Sequence, residues 1–123
     1  RISESRKQAM LNAGLDSIIT IDHEGRIVDF NKAAEMKFGW SCDQVMGKIM
    51  SSVIIPPAYR DAHERGLRHY LRSGEGPVLG KRIQVEAMRS DGSTLPIEMN
   101  ICLIEIPNHP PQFTAFLRDL SES

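Results

Sequence analysis

The stretch from Lys81 to Leu103 restricts the fold more than any other part of the chain. Ile83, Val85 and Ala87 fall on one face of an extended segment, and Arg82, Gln84 and Glu86 fall on the other. That is the period-two pattern of a strand with one buried face. Arg89-Ser90-Asp91-Gly92-Ser93 then breaks the alternation with residues suited to a hairpin turn, because Asp and Gly tolerate positive φ. After the turn the alternation resumes, with Leu95, Ile97, Met99, Ile101 and Leu103 on one side and Thr94, Glu98 and Asn100 opposite. Pro96 lacks a backbone donor, which places that strand end at a sheet edge or turns its amide position toward solvent.

The remaining elements follow from caps and breakers. SIITID (17–22) and RIVDFN (26–31) flank His23-Glu24-Gly25 and read as a second hairpin. Asn31 caps KAAEMKF, which Gly39 ends, and Ser41-x-x-Gln44 matches a capping box opening a short helix that stops near Gly47. Pro56-Pro57 starts a longer helix through Arg72, with Gly74 beyond it. IPNHPPQ is a loop, and FTAFLRDL is a last strand. At the N-terminus, Ser3 caps a short helix whose apolar positions Met10, Leu11 and Ala13 precede Gly14. The expected order is therefore a helix, two strands, three helices and three strands, an α+β domain with five antiparallel strands and the helices inserted between the second and third.

Bulk properties narrow the function classes. A chain of 123 residues, 41% hydrophobic and 25% charged, is one domain able to bury a core. A net charge of -1 gives no electrostatic reason to expect nucleic acid or an anionic membrane as partner. Cys42 and Cys102 stand far apart in no metal-ligand spacing. Apolar runs are too short to cross a bilayer and no signal segment opens the chain, so a cytoplasmic setting is expected. Arg1 at the start and the polar, unstopped RDLSES at the end read as a piece of a longer protein. Neither a nucleophile with its base and oxyanion site nor a phosphate-binding glycine loop is present, so the domain is not expected to be an enzyme. Glu64 adjoins His63, but adjacent helix residues point about 100° apart and do not converge on one atom.

Four pieces, DSIITIDHEGRIVDFNKAAEMKFGW, SCDQVMGK, RSDGSTLPIEM and FTAFLRDLSE, in this order and spacing resemble a PAS domain, the small sensory module of bacterial kinases and cyclases. The likeness runs over 15–121, with 1–14 as a flanking helix and 122–123 as the start of a linker. It implies a five-stranded sheet with helices across one face around a pocket or a packed core. It also implies that this segment senses or dimerises while a separate effector domain, a histidine kinase or a diguanylate cyclase, carries the output. Asp119-Leu120-Ser121 aligns with the family's Asp-hydrophobic-Thr ending, where the last strand leads toward the effector, and Ser for Thr keeps the hydroxyl. The other reading of Asp119 is a solvated turn or helix-cap carboxylate. The first helix, through Ile2, Ala9, Met10 and Ala13, is expected to pack against a second copy in a homodimer.

The stretch AHERGLRHYL decides what a pocket would hold. Tyr59, His63, Leu67 and Tyr70 recur at helical spacing, so His63 lies in the row that faces a core. The segment resembles the haem-binding PAS domains of oxygen-sensing histidine kinases, in which a histidine at this position ligates iron, and Val78, Met99 and Ile101 would then form an apolar distal wall. Two departures weigh against haem. Ile83 stands where those sensors place an arginine, with Arg82 on the opposite face, and Ala115 replaces a glycine. The favoured reading of His63 is a partly buried side chain in a structural hydrogen bond. Under haem, His69 would reach a propionate; otherwise it is solvated, and His23 and His109 sit in turns and loops. Light-sensing flavin chemistry is set aside because the reactive-cysteine context is missing. Cys42 reads as an exposed first-turn residue, Cys102 as inert, and Trp40 as packing. A third possibility is a small apolar ligand lined by Ile19, Ile21, Leu67, Val78, Ile83, Met99, Ile101 and Leu117, residues that equally describe a filled core or a ligand-free interaction domain.

Overall fold

The computed structural model describes residues 16–73 and 82–121. The expected N-terminal helix, Val78 and the linker at 122–123 lie outside the described residues. Within them the order is β1 (Ser17–Ile21), β2 (Ile27–Phe30), α1 (Lys32–Phe38), α2 (Cys42–Val45), α3 (Met50–Ile54), α4 (Pro57–Ser73), β3 (Arg82–Met88), β4 (Thr94–Ile104) and β5 (Gln112–Asp119). The strands form one sheet in the order β2-β1-β5-β4-β3, and every neighbouring pair is antiparallel. The α+β architecture, with the helices between the second and third strands, is as the sequence led us to expect.

Local chemistry explains the boundaries. The Asn31 side chain accepts from Ala34 N and from Ile18 N, at 2.9 Å each, so one amide both caps α1 and fastens it to β1. Gly39 ends α1 in the left-handed region at φ 79°. The next contact carries α1 to the distant hairpin, where Ser90 N donates to Phe38 O at 2.7 Å. Ser41 and Gln44 form both halves of the capping box that opens α2.

Two expectations change. Four helices, not three, separate β2 from β3 among the described residues. The addition is α3, whose Met50, Ser51, Val53 and Ile54 are all buried and whose N-terminus has no side-chain cap. A five-residue helix with two serines, buried at four of its positions, shows no amphipathic period to betray it, and its burial supplies the support that its length cannot. Pro96 is not on an edge strand either, because β4 lies between β3 and β5. Its carbonyl accepts from Leu120 N at 2.9 Å, so its donorless position faces the end of β5, beyond the last ladder pair Ile97–Asp119.

The core lies between the helices and one sheet face. Ile19, Leu95, Ile97, Met99 and Leu117 come up from the sheet, and Ala34, Phe38, Val45, Val53 and Ile54 come down from the helices, all nearly inaccessible to solvent. The Phe30 and Phe38 rings meet tilted, 6.5 Å between centroids. Beneath the first half of α4 the packing does not close.

Candidate functional site

The open space is a cavity of about 560 Å³ between α3, α4 and the inner face of the sheet. That volume is in the range of small-molecule sites. Ile19 and Ile21 of β1, Met99 and Ile101 of β4, and Phe113 and Ala115 of β5 form its floor, with Ile83 and Val85 toward the free edge of the sheet. The α4 side presents Ala62, His63, Gly66 and Leu67, with Met50 and Ile55 closing one flank. Two of those α4 positions are Ala and Gly, and a Cβ at Gly66 would meet nothing within 4 Å. Small residues on the helix facing a flat apolar floor leave volume unfilled.

His63 is half-buried in this wall. Burial pushes the imidazole pKa below 6.5, and neighbouring Glu64 pulls the other way without prevailing. The side chain therefore stands neutral at physiological pH. It makes no hydrogen bond to another described residue, so the expected structural hydrogen bond is absent among the described residues. Glu64 points elsewhere and accepts from Ser51 Oγ at 3.4 Å. Arg60 is also engaged elsewhere, its Nε donating to Ile55 O at 2.8 Å.

Of the residues expected around a pocket, Ile19, Ile21, Leu67, Ile83, Met99 and Ile101 stand in the wall. Leu117 does not. It is buried opposite Ser17 and Met99 in the filled part of the core. Alternation says which face a residue occupies, not whether the space beneath it is full. Tyr59, expected in the core-facing row, is 52% exposed at the rim. Val85, Phe113 and Ala115 also line the space and were within reach of the same alternation, whereas Met50, Ile55, Ala62 and Gly66 carry no sequence signal of a cavity.

Haem can be tested against this wall. His63 offers an imidazole in the neutral form that iron requires. The described lining residues include no Lys or Arg to meet the propionates, Ile83 lies in the wall, and Arg82 is exposed, bordering a separate hollow with Asp16, Glu98, Asn100, Phe116 and Arg118. Among the described residues the wall offers an iron ligand but no cation for the propionates. His69 is exposed on α4, His23 lies half-buried in its turn, and His109 is exposed in its loop. Among the described residues no group of three His, Cys, Asp or Glu side chains could hold a metal. Cys102 is exposed, but Cys42 is half-buried against the core, a correction to its expected exposure; its backbone N–H donates to the Glu35 carboxylate, which draws the start of α2 onto α1. Trp40 packs on the core with its indole N–H buried and unpaired among the described residues.

Asp119, at the end of β5, forms a second constellation. Lys37 Nζ lies 2.7 Å from its Oδ2, and its Oδ1 accepts from the Ser121 N–H at 2.8 Å and from the Ser121 hydroxyl. Its side chain is only 8% exposed, and the two Ser121 contacts are those of a carboxylate closing a turn. No helix among the described residues is long and apolar enough to cross a membrane.

The comparisons with known proteins agree with this geometry. A family model described as the PAS fold matches residues 5–120. An uncharacterized protein of Azorhizobium caulinodans is 38% identical over 121 residues, 98% of this chain and 16% of that protein. The sensor protein FixL of Bradyrhizobium diazoefficiens is 31% identical over 122 residues, 99% of this chain and 24% of that protein. The chain thus spans less than a quarter of the length of these relatives. The crystal structure of a PAS domain from Colwellia psychrerythraea superposes with a TM-score of 0.74 at 19% identity, covering 97% of this chain and 98% of that one. With the sheet order, the inserted helices and the family match in agreement, the chain belongs to the PAS family of sensory domains.

Proposed function

We propose that this domain is the sensory module of a larger cytoplasmic signalling protein, that its cavity takes a small, mostly apolar ligand, and that occupancy is passed through β5 to an attached effector domain. The observation that carries the reading is the cavity of about 560 Å³, walled mostly by apolar side chains and holding a neutral-leaning histidine that has no hydrogen-bonding partner among the described residues. A cavity of that size left without an occupant forfeits dispersion contacts along its whole lining, which favours a ligand that restores them. The route outward is short. Phe113 and Ala115 touch the cavity, and the same strand ends at Asp119, held to α1 by Lys37 and to the departing chain by Ser121. A ligand shifts such an element only as far as its affinities for the two arrangements differ. Pairing with a second copy, and an effector of the histidine kinase or diguanylate cyclase type, belong to the same proposal; the 31% identity to a sensor protein supports the sensory part.

Hydrogen exchange with and without a saturating neutral apolar probe, 1-octanol, tests this reading. Slower exchange in β3, β4 and α4, extending to Leu120 and Ser121, is expected. Unchanged exchange at every one of those amides contradicts it. For haem, the absorption spectrum after adding hemin is expected to show no sharp Soret band that His63→Ala abolishes. Such a band would replace the apolar-ligand reading with a gas or redox sensor.

A further inference from the structure

The cavity wall restricts the charge of what it can hold. Its polar side chains among the described residues are Tyr59, His63, Gln84 and Glu86, and all but His63 are exposed at the rim. His63 is thus the polar side chain that the ligand meets inside, and it has no hydrogen-bonding partner among the described residues to give up first. The charged groups nearby are wrong for an anion. Glu64 sits next to it on α4, Glu86 stands on β3, Arg60 is committed to Ile55 O, and Arg82 is exposed beside a different hollow. A carboxylate carried into this space would leave water for an apolar floor, meet no lysine or arginine among the described lining residues, and find the acidic Glu86 at the rim. A hydroxyl, carbonyl or amide would lose far less hydration and recover it in one hydrogen bond to the ring.

We propose that the cavity selects an uncharged, predominantly aliphatic molecule with one hydroxyl, carbonyl or amide group hydrogen-bonded to the His63 imidazole, and that it rejects the carboxylate of the same length. This deepens the reading of the cavity as a ligand site and rests on it. Either tautomer of a neutral imidazole serves, since one nitrogen donates and the other accepts. The depressed His63 pKa is consistent with that neutral ring.

Isothermal titration of the 123-residue chain near neutral pH with 1-octanol and with octanoate below its micellar concentration tests the proposal. Octanol is expected to bind at least about tenfold more tightly than octanoate. His63→Leu is expected to weaken octanol about five- to tenfold, and His63→Gln, which keeps a donor and an acceptor, to retain most of the affinity. Octanoate binding as tightly as octanol overturns the charge selection and leaves the ligand site standing; binding of neither probe removes the ligand site itself. Equal octanol affinity in wild type and His63→Leu overturns the role of His63. If His63→Leu fails to fold by circular dichroism, the imidazole nitrogen resonances of His63 in the wild-type chain decide. A shift on adding octanol is expected, and unmoved resonances under saturating octanol overturn the assignment.

Discussion

Lys37 on α1 and Asp119 at the end of β5 lie 82 residues apart in sequence, and their charged atoms meet at 2.7 Å. Partial burial alone would raise the Asp119 pKa, but the hydrogen bonds from Lys37 and Ser121 outweigh it and bring it from 3.8 to about 2. The pair fixes the strand end to the first inserted helix, at the place where the chain leaves the sheet. Because the folded pKa is depressed, its stabilisation is complete above 3.8 and disappears as pH falls through about 2. Asp119→Asn is expected to cost about 1 kcal/mol near neutral pH. It should also remove part of the acid dependence across that window, as measured by urea unfolding in a pH series. Identical acid profiles for the two chains would remove the pair from the account.

His63 titrates in the opposite sense. Its folded pKa lies below 6.5, so folding favours the neutral ring, and stability is lost as pH drops below 6.5 until the folded pKa is passed. His63→Leu should abolish this component and flatten unfolding free energy between neutral and mildly acidic pH. A wild-type chain whose stability rises on acidification through that range would contradict the burial of the ring.

Two glycines are expected to respond in opposite directions to alanine. Gly39 has φ 79°, and a Cβ there would lie 2.5 Å from Ser90 Oγ, so Gly39→Ala combines left-handed strain with a clash. A loss of about 1–2 kcal/mol is expected from the backbone strain. Gly66 lies within α4, and a Cβ there meets open space. Gly66→Ala should gain about 0.5–1 kcal/mol. Chemical denaturation of the two variants gives both signs in one experiment.

Asn31 holds two backbone amides through one side-chain oxygen, one in β1 and one in α1. Asn31→Ala leaves Ile18 N and Ala34 N without that partner and should cost about 1–2 kcal/mol. Asn31→Asp keeps the acceptor and should recover most of it. Denaturant midpoints at constant m-value provide the comparison.

The parts of the fold that were legible in advance are those encoded locally. Hairpins announce themselves by period two around Asp91-Gly92, and α1 and α2 by Asn31, Gly39 and the Ser41/Gln44 box, because the signal lies within a few residues of the structure it makes. Helix α3 was not legible, since burial on nearly every side erases the helical period. The same limit applies to the cavity. Ile19, Ile21, Met99 and Ile101 could be placed on the inner face, but only packing shows that the space above them is open while Leu117 on that face sits in filled core. Asp119 and Ser121 stood out by their motif, yet nothing local pairs Asp119 with Lys37.

The claim on which the account depends is that the cavity receives a neutral apolar ligand. Thermal unfolding with and without saturating 1-octanol, for the wild-type chain and for Ala115→Phe, tests it most directly, because Ala115 lies in the cavity floor and a ring there occupies the space. A ligand at about a hundred times its Kd stabilises by about 2.7 kcal/mol, so the wild-type Tm should rise by several degrees and that of Ala115→Phe should stay within about one degree. An unchanged wild-type Tm, or an equal rise in both chains, would contradict the claim.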